Sequence, residues 1–176
     1  MSQETKRKRK RDNNASVLKV IFLDIDGVLL PFPQKGPPKG TLFPTNTIKA
    51  LDRLLKATQA SLVLSSTWRA LDRFVQDILD DFQKHGLGVT AFHDMTDKHY
   101  HAERQWEIHR WLSQNEGVNK LYWLVLDDEE LIKGEENEKL ASTFQGHVVK
   151  PISSVGLTEE DVDRGIQLWQ EQLASK

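Results

Sequence analysis

The sequence predicts an α/β fold in three layers, a parallel sheet with helices on both faces. Three observations predict it. Apolar runs of strand length alternate with segments of helical period along the chain. The two strongest runs, VIFL at 20–23 and LYWLVL at 121–126, read as buried strands. Both of these runs end on paired aspartates, DID at 24–26 and DD at 127–128, and a third run ends on hydroxyls, SS at 65–66. In open parallel sheets, ligands bind at the carboxyl ends of the strands. Three such strands lying side by side would bring Asp24, Asp26, Ser65, Ser66, Asp127 and Asp128 to one place.

Each element follows in turn. Residues 17–23 form the first strand. The loop 31–44, PFPQKGPPKGTLFP, carries prolines that forbid regular helix. Thr45 or Asn46 then caps a helix with Ile48, Leu51, Leu54 and Leu55 on its apolar face. Residues 62–64 make a second strand. A helix with Leu71, Phe74, Val75, Ile78, Leu79 and Phe82 inward comes next, and Gly86 and Gly88 punctuate its end. Residues 88–92, GVTAF, are the edge-strand candidate. Residues 93–102 are polar and hold His93, His99 and His101; these lack the four-residue helical spacing of a ligand pair and read as a polar loop. A helix over 103–114 turns Ile108, Trp111 and Leu112 inward, and Trp106, Trp123 and Trp169 are also expected in or near the core. After the strand at 121–126 come an acidic exposed stretch, GEENE at 134–138, and a short strand at 147–150. The last helix starts at Thr158 with Asp161 as capping-box partner, and buries Val162, Ile166, Trp169 and Leu173.

Composition narrows the classes. A chain of 176 residues with 38% hydrophobic residues suits one globular domain, expected over 16–176 behind a disordered tail at 1–15. No apolar run approaches the roughly 20 residues of a membrane span, and no apolar segment follows the basic N-terminus as in a signal peptide. The absence of cysteine excludes disulfides, zinc–thiolate sites and thiol nucleophiles, and fits an intracellular, cytoplasmic or nuclear, setting. The net charge of −2 hides an asymmetry: KRKRKR at 6–11 holds six of the 24 basic residues. Residues 12–176 keep 18 basic and 25 acidic side chains, a net of −7. A block of like charges repels itself and stays extended; it reads as a nuclear-import signal, a nucleic-acid tether or a solvated tail. The acidic body offers no basic patch for reading a duplex groove.

Several carboxylates at one spot repel each other and need a cation or a shared proton. Hard oxygen donors without sulfur favour Mg²⁺, which keeps waters and takes a substrate phosphate. A carboxylate beside it can attack phosphorus, and a second can protonate the leaving oxygen and later activate water. Asp24 and Asp26, two apart on an extended segment, are expected to point the same way.

DIDGVL at 24–29 resembles the first motif of the haloacid dehalogenase (HAD) superfamily of phosphohydrolases. Together with the hydroxyls at 65–66 and the pair at 127–128, the resemblance runs over about residues 17–170. It implies a Rossmann-like HAD fold. It implies Asp24 as nucleophile, Asp26 as acid/base, and Ser65 as the hydroxyl on the transferring phosphoryl group. Mg²⁺ would be held among Asp24, Asp26, Asp127 and Asp128. ERQWEIHRWL at 103–112 resembles the R-x-x-E-I-x-x-W-L pattern of one branch and nominates Arg104 as the phosphate-neutralising cation, with Lys98 as rival. Structural readings stand beside these: Ser65 and Ser66 as helix caps, 127–128 as a helix start, Arg104 as a surface ion pair. Ser66, Trp68 and Arg69 are placed to bind substrate, Trp68 by stacking and Arg69 by pairing, with core packing as the other reading of Trp68.

Superfamily members often carry a cap domain. The loop of about 15 residues between Leu30 and Thr45 is too short for one, so an open, capless site is expected. Open sites suit phosphate on a large molecule. The SSTWR, LDD and GLTEEDV segments are similar to the HAD domain associated with RNA-repair proteins, which points to a phosphorylated macromolecule, with a nucleic-acid end favoured. A phosphoprotein phosphatase and a non-catalytic phosphate-binding module are the alternatives, and oligomeric state is open.

Overall fold

The computed structural model describes residues 17–33, 40–97, 103–118, 120–132 and 138–175. Strand β1 (Val17–Leu23) pairs in parallel with β2 (Ser61–Leu64) on one side and β4 (Lys120–Leu126) on the other. Short edge strands β3 (Asp94–Met95) and β5 (Val148–Val149) complete an all-parallel sheet in the order β3-β2-β1-β4-β5. The helices are α1 (Thr45–Thr58), α2 (Asp72–Lys84), α3 (Arg104–Gln114), α4 (Glu138–Phe144) and α5 (Glu159–Ala174).

Alternation along β1 explains the three layers. Ile21 and Leu23 face a cluster made with Leu51 of α1, Phe82 of α2 and Trp169 of α5. Val20 and Phe22 face the opposite cluster, with Ile108 and Trp111 of α3 and Phe144 of α4. Each fully buried apolar side chain stabilises by about 1.5–3 kcal/mol. Phe22 also meets Trp111 and Trp123 edge-on, with centroids 5.1 and 6.2 Å away. Among the described residues no helix or strand stands between β1 and α1, and no helix is long and apolar enough to cross a membrane.

The order places the site. From β1 the chain steps outward to β2 and β3, then returns to the other flank of β1 with β4. The direction therefore reverses between β1 and β4, the switch point where parallel sheets open a crevice. Leu23 is level with Leu64 and with Leu126, so Ser65, Asp24 and Asp127 leave three adjacent strands at one height. Backbone hydrogen bonds continue past the strands, from Ser65 N to Leu23 O and from Asp24 N to Leu126 O, both 3.0 Å.

Several local expectations are corrected. Pro44, not Thr45 or Asn46, stands at the N-cap of α1, with no side-chain cap. The buried Thr47 hydroxyl instead meets the carbonyls of Pro44 and Leu29, both at 2.9 Å. Residues 88–92 are not a strand. The edge strand is the polar 94–95, because Val89 and Phe92 are needed for packing on the core beneath. Leu71 precedes α2 and is 45% exposed. On α5 the capping box forms as expected, but Leu168 turns inward while Leu173, on the final turn, is exposed. Trp106 is also exposed, on the outer face of α3. No helix begins at 127–128; the Asp127 side chain accepts from Glu129 N at 2.9 Å and closes a turn. Residues 6–11, Lys98, His99, His101 and most of 134–138 lie outside the described residues.

Asp81 on α2 ties down the loop that enters α1. It is fully buried and accepts from Leu42 N at 2.7 Å and Phe43 N at 2.9 Å. Asp81→Ala leaves those donors unsatisfied and is expected to lower the unfolding free energy by about 2–4 kcal/mol. Urea denaturation checks this, and an unchanged midpoint would refute it.

Candidate active site

Asp24 and Asp127 face each other at the switch point, and a single cation joins them. Arg104, the first residue of α3, places Nη1 3.2 Å from Asp24 Oδ1 and 2.9 Å from Asp127 Oδ2. All three side chains are buried. Starting α3 at Arg104 is what swings the guanidinium under the strand ends, so it is not the surface ion pair of the structural reading. Burial acts against the Arg104 cation, yet Asp127 and Asp24 outweigh it and its pKa lies above the ordinary arginine value. For Asp127 burial dominates. It and the neighbouring Asp24 charge outweigh Arg104 and push the carboxyl up to about 7.

Asp128, half-buried, completes a group in which one oxygen of each of Asp24, Asp127 and Asp128 lies within 4.8 Å of the others. Three hard oxygen donors with one cation between them leave net negative charge, which fits Mg²⁺. Asp127 must lose its proton to bind a cation. Mg²⁺ affinity is therefore expected to rise by about tenfold per pH unit up to about pH 7 and then level off. The stability of the metal-free protein runs the opposite way. A carboxyl raised in the fold stabilises fully below the unfolded value of 3.8, and that contribution is lost as pH rises through about 7. Calorimetric titration with Mg²⁺ from pH 5.5 to 8 checks the first trend, and a pH-independent affinity would refute it.

Asp26 stands apart from this group. It lies on the turn beyond β1, where Gly27 N donates to Leu30 O at 2.8 Å, so strand alternation no longer governs its direction. Its side chain is exposed and accepts from the Trp68 indole Nε1 at 2.9 Å. Its carboxylate is thus not one of the three that come together at Asp24, Asp127 and Asp128. Gly27 has φ +73°, and a Cβ there would lie 2.2 Å from Asp128 Oδ2. Only glycine lets the turn pass so close to that carboxylate.

Ser65 and Ser66 are both fully buried. Among the described residues the Ser65 hydroxyl has no hydrogen-bond partner, nor does that of Thr96, which follows β3. Ser66 caps the 3₁₀ turn Thr67–Ala70, with its hydroxyl 3.5 Å from Trp68 N, which is the capping reading. Arg69 is engaged within the protein. Its buried guanidinium donates to Thr96 O at 2.9 Å and Ser65 O at 2.6 Å, and pairs with Glu107 Oε2 at 2.6 Å. Burial pulls its pKa below the ordinary value, against the attraction of Glu107. It clamps the strand ends to α3. Glu107 lies 3.8 Å from Arg104 Nε as well, and so steadies the cation of the site. Sequence reasoning assigned Glu107 and Thr96 no role. For Glu107 the signal was its position three residues after Arg104, on the same side of one helix.

Residues 20–162 match the family described as HAD domain in Swiss Army Knife RNA repair proteins. No curated protein and no solved structure matches the chain.

Proposed function

Because the chain belongs to the family of HAD domains in Swiss Army Knife RNA repair proteins, we propose that it is a Mg²⁺-dependent phosphomonoester hydrolase working through an aspartyl-phosphate on Asp24. The observation that carries the reading is the buried Asp24–Arg104–Asp127 bridge beside a buried Ser65 hydroxyl that has no partner among the described residues. Structural hydroxyls at such depth normally find an acceptor, and a phosphoryl oxygen would be one.

An oxygen of Asp24 attacks phosphorus, the ester P–O bond breaks, and the leaving oxygen takes the proton of Asp26. Water then attacks the phosphorus of the aspartyl-phosphate and gives a proton to Asp26. The bond to Asp24 breaks and phosphate departs. Ser65 donates to a non-bridging oxygen, and Arg104 offsets the charge of nucleophile and phosphate. Mg²⁺ held by Asp24, Asp127 and Asp128 would neutralise phosphoryl charge.

The proposed substrate is the phosphorylated end of a nucleic acid. The RNA-repair context of the family supports it. So do the KRKRKR segment, read as a tether or nuclear-import signal, and the lack of any described element over the site between β1 and α1. The test is phosphate release with Mg²⁺ from 3′- and 5′-phosphorylated oligonucleotides, phosphopeptides, nucleotides and sugar phosphates. Oligonucleotide ends are expected to lead in kcat/KM by about tenfold or more, roughly 1.4 kcal/mol of transition-state binding. A preference for phosphopeptides would replace the substrate. Phosphate binding without turnover of any ester would replace the enzyme with a binding module.

A further inference from the structure

Asp26 is exposed and sits on a turn, so its carboxylate has rotational freedom that an acid/base cannot use. Among the described residues it makes one side-chain hydrogen bond, from Trp68 Nε1 to Oδ2 at 2.9 Å. We propose that Trp68 is a positioning residue for Asp26, whose Oδ2 it holds so that the other oxygen carries the proton to the leaving group. This rests on the phosphatase reading above.

The indole is itself held. It is half-buried, with its ring 5.4 Å from that of Phe74 at the start of α2. Its backbone lies in the 3₁₀ turn Thr67–Ala70, which Ser66 caps at one end. The next residue, Arg69, is pinned to Thr96, Ser65 and Glu107. The post is therefore built on the same strand end as Ser65, the hydroxyl assigned to the phosphoryl group. One turn then sets both the depth of the phosphate and the direction of the acid. An N–H can only donate, so the bond is made to an oxygen with a free lone pair. The carbonyl-type oxygen of a protonated carboxyl is the better acceptor, so the indole bond at Oδ2 favours the proton on the opposite oxygen. The indole N–H is thereby engaged with protein, a role beyond the substrate stacking and core packing expected of Trp68.

Leaving-group dependence separates positioning from mere packing. Phosphoryl transfer to Asp24 releases either 4-nitrophenolate, which needs little protonation, or an alkoxide, which needs a full proton. Trp68→Phe keeps the ring against Phe74 and removes the N–H. Its kcat/KM is expected to fall by about 10- to 100-fold on a 3′-phosphorylated oligonucleotide. On 4-nitrophenyl phosphate it should fall by less than about threefold. Equal losses on both esters would overturn the proposal. The contact is read without turnover from indole N–H resonances. The signal missing in Trp68→Phe identifies Trp68, and it should move upfield in Asp26→Ala. An unmoved signal would overturn the contact and with it the role. A wild type inert towards both esters would overturn the phosphatase reading, while the indole signal still decides the contact.

Discussion

Asp24→Asn is expected to lower kcat on any phosphomonoester by about 10⁴-fold or more while the protein stays folded. The amide is nearly isosteric and keeps an oxygen where Arg104 Nη1 now lies 3.2 Å from Asp24. Arg104 also retains Asp127 at 2.9 Å. One of two facing buried charges disappears, so repulsion falls and stability should hold or rise. What goes is the nucleophile. An amide oxygen does not form the acyl-phosphate, so no step after binding can proceed. Rapid-quench mass spectrometry of the wild type should show a phosphorylated Asp24 peptide that the variant lacks. Wild-type turnover in Asp24→Asn would remove the proposed mechanism.

Arg104→Met is expected to destabilise the metal-free protein by about 3–5 kcal/mol, because it leaves two buried carboxylates without their shared cation. The deficit has a pH signature. Protonating Asp127 removes the repulsion, so the difference from wild type should shrink as pH falls towards 4. Saturating Mg²⁺ should recover part of it at neutral pH, since Asp24, Asp127 and Asp128 can close on the ion from one side. Thermal unfolding of both proteins at pH 4.5 and 7.5, with and without Mg²⁺, tests all three statements. A deficit independent of both pH and Mg²⁺ would mean that Arg104 acts through packing alone.

The strands and their acidic ends were legible because they depend on local rules. Apolar runs bounded by turn residues named β1, β2 and β4 to within a residue or two. The capping box at Thr158 and Asp161 was equally local. The edge strand was not. Two residues, Asp94 and Met95, pair with β2 because that edge is available and the chain passes it, while apolar 88–92 is spent on packing. Leu168 and Leu173 likewise differ in burial although the helical period offers both, because the neighbours that cover a side chain come from tertiary packing.

By itself, the sequence determined the alternation of strands and helices, the carboxylates and hydroxyls at strand ends, and hence the family of chemistry. Tertiary structure decided the assignments among them. It put Asp128 rather than the Asp26 side chain with Asp24 and Asp127, tied Arg69 and Glu107 into the support of Arg104, and turned Trp68 onto Asp26. Periodicity reports which way a side chain leaves its own element. Which charge it meets depends on strand order and on register between distant segments, and no local pattern encodes those.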